Sequence, residues 1–180
     1  QTFGMGGRAS VNISLRSDVA YAMALQPDGK IVLAGTCDSF SYGDFCAARY
    51  NIDGTLDTTF GVDGLVFEPV GPGADYGYGL AIQPDGKLVL AGHCFATVAN
   101  FCAMRLNTNG SRDENFGSMG RVLTPFDTNE PSARAVALQS DGKLVLAGGC
   151  SPGVFCAIRY NGNGTVDTNF GASGTVITPV

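Results

Sequence analysis

Six cysteines, one histidine and a recurring set of arginines and carboxylates carry what chemistry this 180-residue sequence can offer. The cysteines come in couples, Cys37/Cys46, Cys94/Cys102 and Cys150/Cys156. An even count in spaced couples is the pattern of disulfides formed in an oxidising, extracytoplasmic setting. A zinc site would ask for CxxC-type spacing or several histidines, and His93 is the only histidine. CxxCH is absent too, so covalent haem attachment is not indicated. A nucleophilic triad is equally short of parts. His93 stands beside a cysteine already committed to a couple, and the non-repeated Glu68, Glu114 and Glu130 form no constellation with it. The expectation is a protein that is not an enzyme, with no catalytic residue and no cofactor.

Three connections, "NIDGTLDTTFG", "NTNGSRDENFG" and "NGNGTVDTNFG", share the form N-x-[D/N]-G-[T/S]-x-D-x-[T/N]-F-G. The first has the oxygen-rich look of a calcium loop, with Asn51, Asp53 and Asp57 as candidate ligands. The second and third hold one carboxylate each at the matched positions, Asp113 and Asp167, and a weakly charged loop binds Ca²⁺ poorly. The favoured reading is an Asx/Gly turn, with Phe60, Phe116 and Phe170 as plugs between units, and no metal is assigned. Arg49, Arg105 and Arg159 recur between apolar neighbours, each eight residues before Asp57, Asp113 and Asp167. That spacing predicts one structural Arg–carboxylate clasp per unit. Tyr21, Tyr76 and Tyr78 are candidates for stacking on sugars, although the third unit has no matching aromatic.

The elements that position these residues repeat as well. "QPDGKIVLAGTC", "QPDGKLVLAGHC" and "QSDGKLVLAGGC" begin at Gln26, Gln83 and Gln139, and an F-G marker recurs at Phe3, Phe60, Phe116 and Phe170. The spacing of that marker defines a single repeat domain, 1–180, with units 3–59, 60–115 and 116–169 and a partial fourth unit, 170–180. Each unit reads as four strands. Strand A is "LVFEPV", "RVLTPF" or "TVITPV"; strand B is "YAMALQ", "YGLAIQ" or "RAVALQ". Strand C is "KIVLAG" or "KLVLAG", and strand D is "FCAARY", "FCAMRL" or "FCAIRY". The alternation in strand B has the period of two that marks a strand, and no segment shows a capped helical period. Pro27 and Pro84 preset a turn, and the Asp-Gly that follows completes a tight B–C hairpin. The fold class is therefore all-β.

Composition agrees. Twenty-six glycines suit many tight turns, and 44% hydrophobic against 15% charged residues argues for a packed core rather than disorder. The net charge of −5 and the scatter of the eleven basic residues disfavour a nucleic-acid partner, which needs clustered Lys and Arg, and none is expected. No apolar run approaches the roughly 20 residues of a membrane helix, so no membrane insertion is expected. The chain opens at Gln1 rather than Met, without a signal-peptide pattern, as a mature secreted product or an excised fragment would.

The cysteines take their place from the C–D hairpin. If Cys37 faces Cys46, then Gly35 faces Ala48 and Leu33 faces Tyr50, and the same register serves the other two units. Three disulfides follow, Cys37–Cys46, Cys94–Cys102 and Cys150–Cys156.

With these residues in view, "DFCAARYNIDGTLDTTFGVDG" and "AIQPDGKLVLAG" resemble the delta-60 repeat family, repeats of about this length in long, secreted or surface-attached bacterial proteins. The resemblance covers essentially the whole chain. It implies β-propeller-like blades and an extracellular or cell-surface location, and it brings no established activity. The chain departs from the usual pattern in its cysteine couples and in having three units. Closed propellers typically take four to eight blades. Three units therefore imply half of a six-bladed ring, a fragment of a longer array or an open arc continued by neighbours, with a β-trefoil as the alternative fold.

The expected function is a non-catalytic extracellular structural protein, a surface or filament subunit whose partner is itself. The alternative is an adhesion module for a glycan or another surface ligand. Four copies of strand A face only three sets of B, C and D, which predicts an unpartnered C-terminal strand at Thr175, Val176, Ile177, Thr178, Pro179 and Val180. Gly171 and Gly174 would let that strand swing out to join the sheet of a neighbouring molecule.

Overall fold

In the computed structural model, which describes residues 2–39, 42–126 and 131–179, the strands form three four-stranded antiparallel sheets. The first sheet holds β1 (Asp18–Leu25), β2 (Ile31–Ser39), β3 (Tyr42–Tyr50) and β4 (Leu65–Glu68). The second holds β5 (Asp75–Ile82), β6 (Leu88–Phe95), β7 (Ala99–Leu106) and β8 (Arg121–Pro125). The third holds β9 (Ser132–Leu138), β10 (Leu144–Ser151), β11 (Val154–Tyr160) and β12 (Thr175–Pro179). Each sheet is a meander in chain order. There is no α-helix among the described residues, and none long and apolar enough to cross a membrane. The all-β class with three four-stranded, blade-like units holds. Because the four strands of a unit pair with one another, the trefoil alternative drops out.

The grouping of strands differs from the sequence reading in one respect. Strand A closes the sheet of the preceding B, C and D, so β4 pairs with β3 through Cys46↔Phe67 and Ala47↔Val66. The C-terminal strand is present, and it is the outermost strand of the third sheet, paired with β11 through Cys156↔Ile177 and Phe155↔Thr178. It is not partnerless, and the expectation of a free assembly strand over Thr175–Pro179 is corrected. Val180, assigned to that strand, and Glu130 lie outside the described residues. The reason lies in the D–A connection, which doubles back on itself. The Arg159 N–H donates to Gly174 O, and the Gly174 N–H donates to Phe170 O, so the chain leaving β11 returns antiparallel beside it. Gly174 is a fixed point of that return rather than a hinge. The copy left without a sheet is the N-terminal one, where a single Met5↔Arg8 bridge is formed.

The repeated phrase forms for two physical reasons. At its start, the Gln26 N–H donates to Lys30 O and the Gly29 N–H to Gln26 O, with Gly29 at φ 83°, which suits glycine. At its end, each first strand bulges opposite the "AG" glycine, between Ala20 and Ala22, between Gly77 and Gly79, and at Arg134. A Cβ on Gly35, Gly92 or Gly148 would lie 1.9, 1.8 or 2.0 Å from a carbonyl of the bulged strand, so no other residue fits.

The sheets stack face to face, and the core lies between them. One face of each sheet presents Val, Ala and Phe; the opposite face presents Leu and Cys together with Ala48, Met104 or Ile158. Val32, Ala34, Phe45 and Val66 of the first sheet meet Leu88, Leu90, Cys94 and Met104 of the second. Val89, Ala91, Phe101 and Val122 of the second meet Leu144, Leu146, Cys150 and Ile158 of the third. The second sheet is thus buried on both sides, which is why nearly every residue of β6 and β7 is buried.

Candidate functional site

The most elaborate chemistry in the chain lies where one sheet joins the next, and it is built by the D–A connection. The Arg49 Nε–H donates to Asp57 Oδ2 at 2.7 Å, Arg105 to Asp113 at 2.7 Å, and Arg159 to Asp167 at 2.8 Å. A third group completes each set. Lys30, Lys87 and Lys143 place Nζ 2.8, 2.9 and 3.1 Å from the same carboxylate oxygens. These lysines went unnoticed in the sequence, although each ends a "DGK" turn and so repeats with the clasp. Burial works against the charge of Asp57, but Lys30, Thr59 and Arg49 outweigh it and hold the carboxyl well below the usual range. Asp113 is lowered against the same opposing burial, by Lys87, the Asn115 N–H and Arg105. Asp167 is lowered chiefly by Lys143.

Each arginine also stacks over the phenylalanine that follows, 4.5 Å from the Phe60 centroid and 4.7 Å from those of Phe116 and Phe170. From there the joint crosses to the next sheet. Arg49 donates to Thr108 O and Arg105 to Gly162 O. The Gly61 N–H donates to Asn109 O at 2.7 Å, and the Gly117 N–H to Asn163 O at 2.8 Å. Phe60 and Phe116 are fully buried. Their rings lie over Gly110 and Gly164, where a Cβ would come within 3.0 and 3.1 Å of the ring and 2.6 Å of the incoming backbone nitrogen. The Asx/Gly turn is therefore a cradle, and the phenylalanine is the plug that fills it.

The third sheet has the plug side without a cradle. The Arg159 Nη1–H that would cross to a next sheet instead donates to Gln139 of its own unit, at 3.5 Å, and its side chain is 19% exposed against 7% and 9% for its counterparts. On the same face Phe155 is 65% exposed where Phe45 and Phe101 are at 0%, and Val176 is 38% exposed where Val66 and Val122 are at 5% and 8%.

The candidate calcium ligands are spent elsewhere. Asp53 Oδ1 accepts from the Thr55 N–H and hydroxyl, and Asn51 turns its amide N–H toward Thr55 and Leu56 O. Asp57 is held by Arg49 and Lys30. Among the described residues no cluster of three or more His, Cys, Asp or Glu side chains is arranged to hold a metal.

The structure joins Cys37 to Cys46, Cys94 to Cys102 and Cys150 to Cys156. The register beneath these bonds is two residues off the expected one. Cys37 opposes Asp44, Gly35 opposes Cys46 and Leu33 opposes Ala48. The bonds run along a diagonal, which the right-handed twist of the sheet shortens to Cα separations of 5.8–5.9 Å.

A second cluster lies where the first strands β1, β5 and β9 converge. The bulges turn out one residue each, Tyr21, Tyr78 and Arg134. The two tyrosine rings meet edge to face at 5.0 Å, and the Arg134 guanidinium lies 4.1 Å above Tyr78. Tyr76 stacks on Tyr78 at 6.2 Å. The third unit thus supplies an arginine where an aromatic was looked for. His93 flanks this cluster, its ring 6.0 Å from that of Tyr76 and its Nδ1 held 2.8 Å from Pro131 O.

A protein-family model described as "Domain of unknown function (DUF5122) beta-propeller" matches residues 26–60, 83–116 and 139–170, more than half of the chain. Each match runs from the glutamine of a "DGK" turn to the plug phenylalanine. No curated protein matches the chain.

Proposed function

The chain belongs to this DUF5122 β-propeller family, and from that premise we propose that it is a non-catalytic structural module that works outside the cell by joining copies of itself, sheet face to sheet face. The observation that carries the reading is the outward face of the third sheet. It repeats the side chains that make both internal joints, with Phe155 and Val176 left uncovered and Phe170 half-buried. A patch of that kind costs solubility unless something covers it, and the partner it fits in shape and order is another sheet of the same series. The three disulfides support an oxidising compartment and hence the extracellular location. The engagement of Asp57, Asp113 and Asp167 in ion pairs supports a structural rather than catalytic use of the repeated carboxylates.

Light scattering over a range of concentrations tests the proposal. The expected result is reversible self-association that Phe155→Asp abolishes while the far-UV circular dichroism stays unchanged. A chain that remains monomeric up to millimolar concentration overturns it.

The Tyr21–Tyr78–Arg134 ladder favours one second reading, a site for a surface glycan. Aromatic faces beside a cation suit the apolar face and hydroxyls of a sugar ring. Glycan binding by the monomer that is lost in Tyr78→Ala would put this reading in place of the first.

A further inference from the structure

We infer that the first sheet carries the matching half of the third sheet's open joint, that Thr2–Ile13 is a removable cover over it, and that two copies close head to tail into a six-sheet ring. The inference rests on the self-association proposed above and names its second surface.

The cover imitates a joint. The Gly4 N–H donates to Asp53 O at 2.7 Å, as Gly61 does to Asn109 and Gly117 to Asn163. A Cβ on Gly54 would lie 2.7 Å from Gly4 N and 3.1 Å from the Phe3 ring, so Phe3 occupies the first cradle as Phe60 and Phe116 occupy the next two. Farther along, Ala9, Val11 and Ile13 line one cavity with Leu33, Cys46 and Tyr50, the first sheet's version of the Leu/Cys face that a neighbouring sheet covers elsewhere. Only this cover lacks a sheet of its own. Residues 3–13 form one isolated bridge and no ladder with the strands beneath, so their departure breaks few hydrogen bonds. Phe3 and Phe170 are both half-buried, whereas the plugs inside true joints are fully buried.

The third sheet of a second copy would bring Phe170, Gly171 and Arg159 to Gly54, Asp53 O and Ile52 O, repeating both internal joints. Two such contacts related by a two-fold axis consume every open face and give six sheets, within the four to eight that close a propeller.

The test compares the intact chain with a variant lacking Gln1–Val11, which keeps the Ile13 and Ser14 N–H groups that Asp18 accepts. The full-length Phe3→Ala variant serves as a second form with every sheet untouched. Analytical ultracentrifugation should give a species of two chains for both variants, with a dissociation constant on the order of tenfold or more below that of the intact chain. A peptide of Thr2–Ile13 should dissociate the truncated dimer, and the same peptide carrying Phe3→Ala should not. If intact and truncated chains associate equally, and Phe155→Asp abolishes both, the cover is refuted and the self-association reading stands. A limiting species larger than two chains refutes the ring. If neither form associates, both readings fall.

Discussion

β6 and β10 begin with the same residues, Leu88–Gly92 and Leu144–Gly148 both reading LVLAG, yet they meet different surroundings. In the second sheet Leu88, Val89, Leu90 and Ala91 are all buried; in the third, Leu144 and Leu146 are buried while Val145 and Ala147 are half-exposed. The alternation is set by the neighbours and not by the strand. A strand apolar on both faces is suited to a sheet covered on both sides, and the third sheet keeps that composition with one side bare. Repeat proteins usually end in a unit with a polar outer face. The third sheet presents an apolar face instead, and the comparison of the filled second sheet with the half-filled third shows where another sheet can be added.

The largest effect that would break or sharpen this comparison comes from matched truncations. Phe101→Ala removes a fully buried ring between the second and third sheets and should cost about 3–5 kcal/mol. Phe155→Ala, the same substitution at the same place in the repeat, should change the stability of the monomer by no more than about 0.5 kcal/mol. Urea denaturation at a dilution that keeps the chain monomeric reads both. Equal losses would mean that the third face is covered in solution, and the contrast between the sheets would disappear.

Next in size is the clasp. Asp113 sits inside a filled joint, and Asp113→Asn leaves the buried Arg105 and the half-buried Lys87 without their countercharge, at a cost of about 3 kcal/mol. Asp167→Asn should cost clearly less, because Arg159 faces solvent. Acid should act through the same groups. Asp57, Asp113 and Asp167 all have folded pKa values below the unfolded value near 3.9. Their contribution is complete above that pH and is lost as the pH falls toward the folded values. Asp75 is the opposite case. Burial pushes its carboxyl up, with Asp44 adding to the rise, so its contribution is present below about pH 3.9 and fades as the pH rises through its folded value. With three groups against one, the melting temperature should fall between pH 5 and 3, and by less in Asp113→Asn, which has already lost one clasp. An acid dependence identical in the variant would show that the clasps do not carry it.

How much of this was legible in the sequence varies with the range of the interaction. Features set by neighbouring residues could be read directly: the "DGK" hairpins, the strand identities, the couples of cysteines, and the eight-residue step from Arg49 to Asp57. Properties settled by how chain segments partner could not. The A segment reads equally well as the first strand of its own unit or the last of the preceding one, and the choice is made by backbone pairing, Arg49 to Gly64 O, Gly64 to Phe60 O and the β3–β4 ladder, with their copies in the other sheets. The hairpin register slipped by two residues because a diagonal pair of cysteines in a twisted sheet lies as close as a directly opposed pair. A slip of two keeps every side chain on its face, so the pattern of apolar residues could not detect it. The cradle glycines looked like ordinary turn glycines. Their second reason, the ring of the preceding plug, belongs to another unit.

The smallest expected effect concerns the first cradle, the one place where Asp53 stands in line with Asn109 and Asn163. Were calcium bound at Asn51, Asp53 and Asp57, the first sheet would be fastened by a cation that the others lack, and the difference between the ends of the chain would be one of metal rather than of covering. The geometry argues against it. Asp57 is already ion-paired to both Arg49 and Lys30, Asp53 is satisfied by Thr55, and Asn51 turns its N–H groups to Thr55 and Leu56 O. Chelator and added Ca²⁺ should both leave the melting temperature of the intact chain unchanged, and Asp53→Asn should melt with it, because the cradle holds Gly4 through a backbone carbonyl that the substitution keeps. A fall of many degrees on chelation, absent in Asp53→Asn, would assign the first cradle to a metal and remove the reason to regard Phe3 as its occupant.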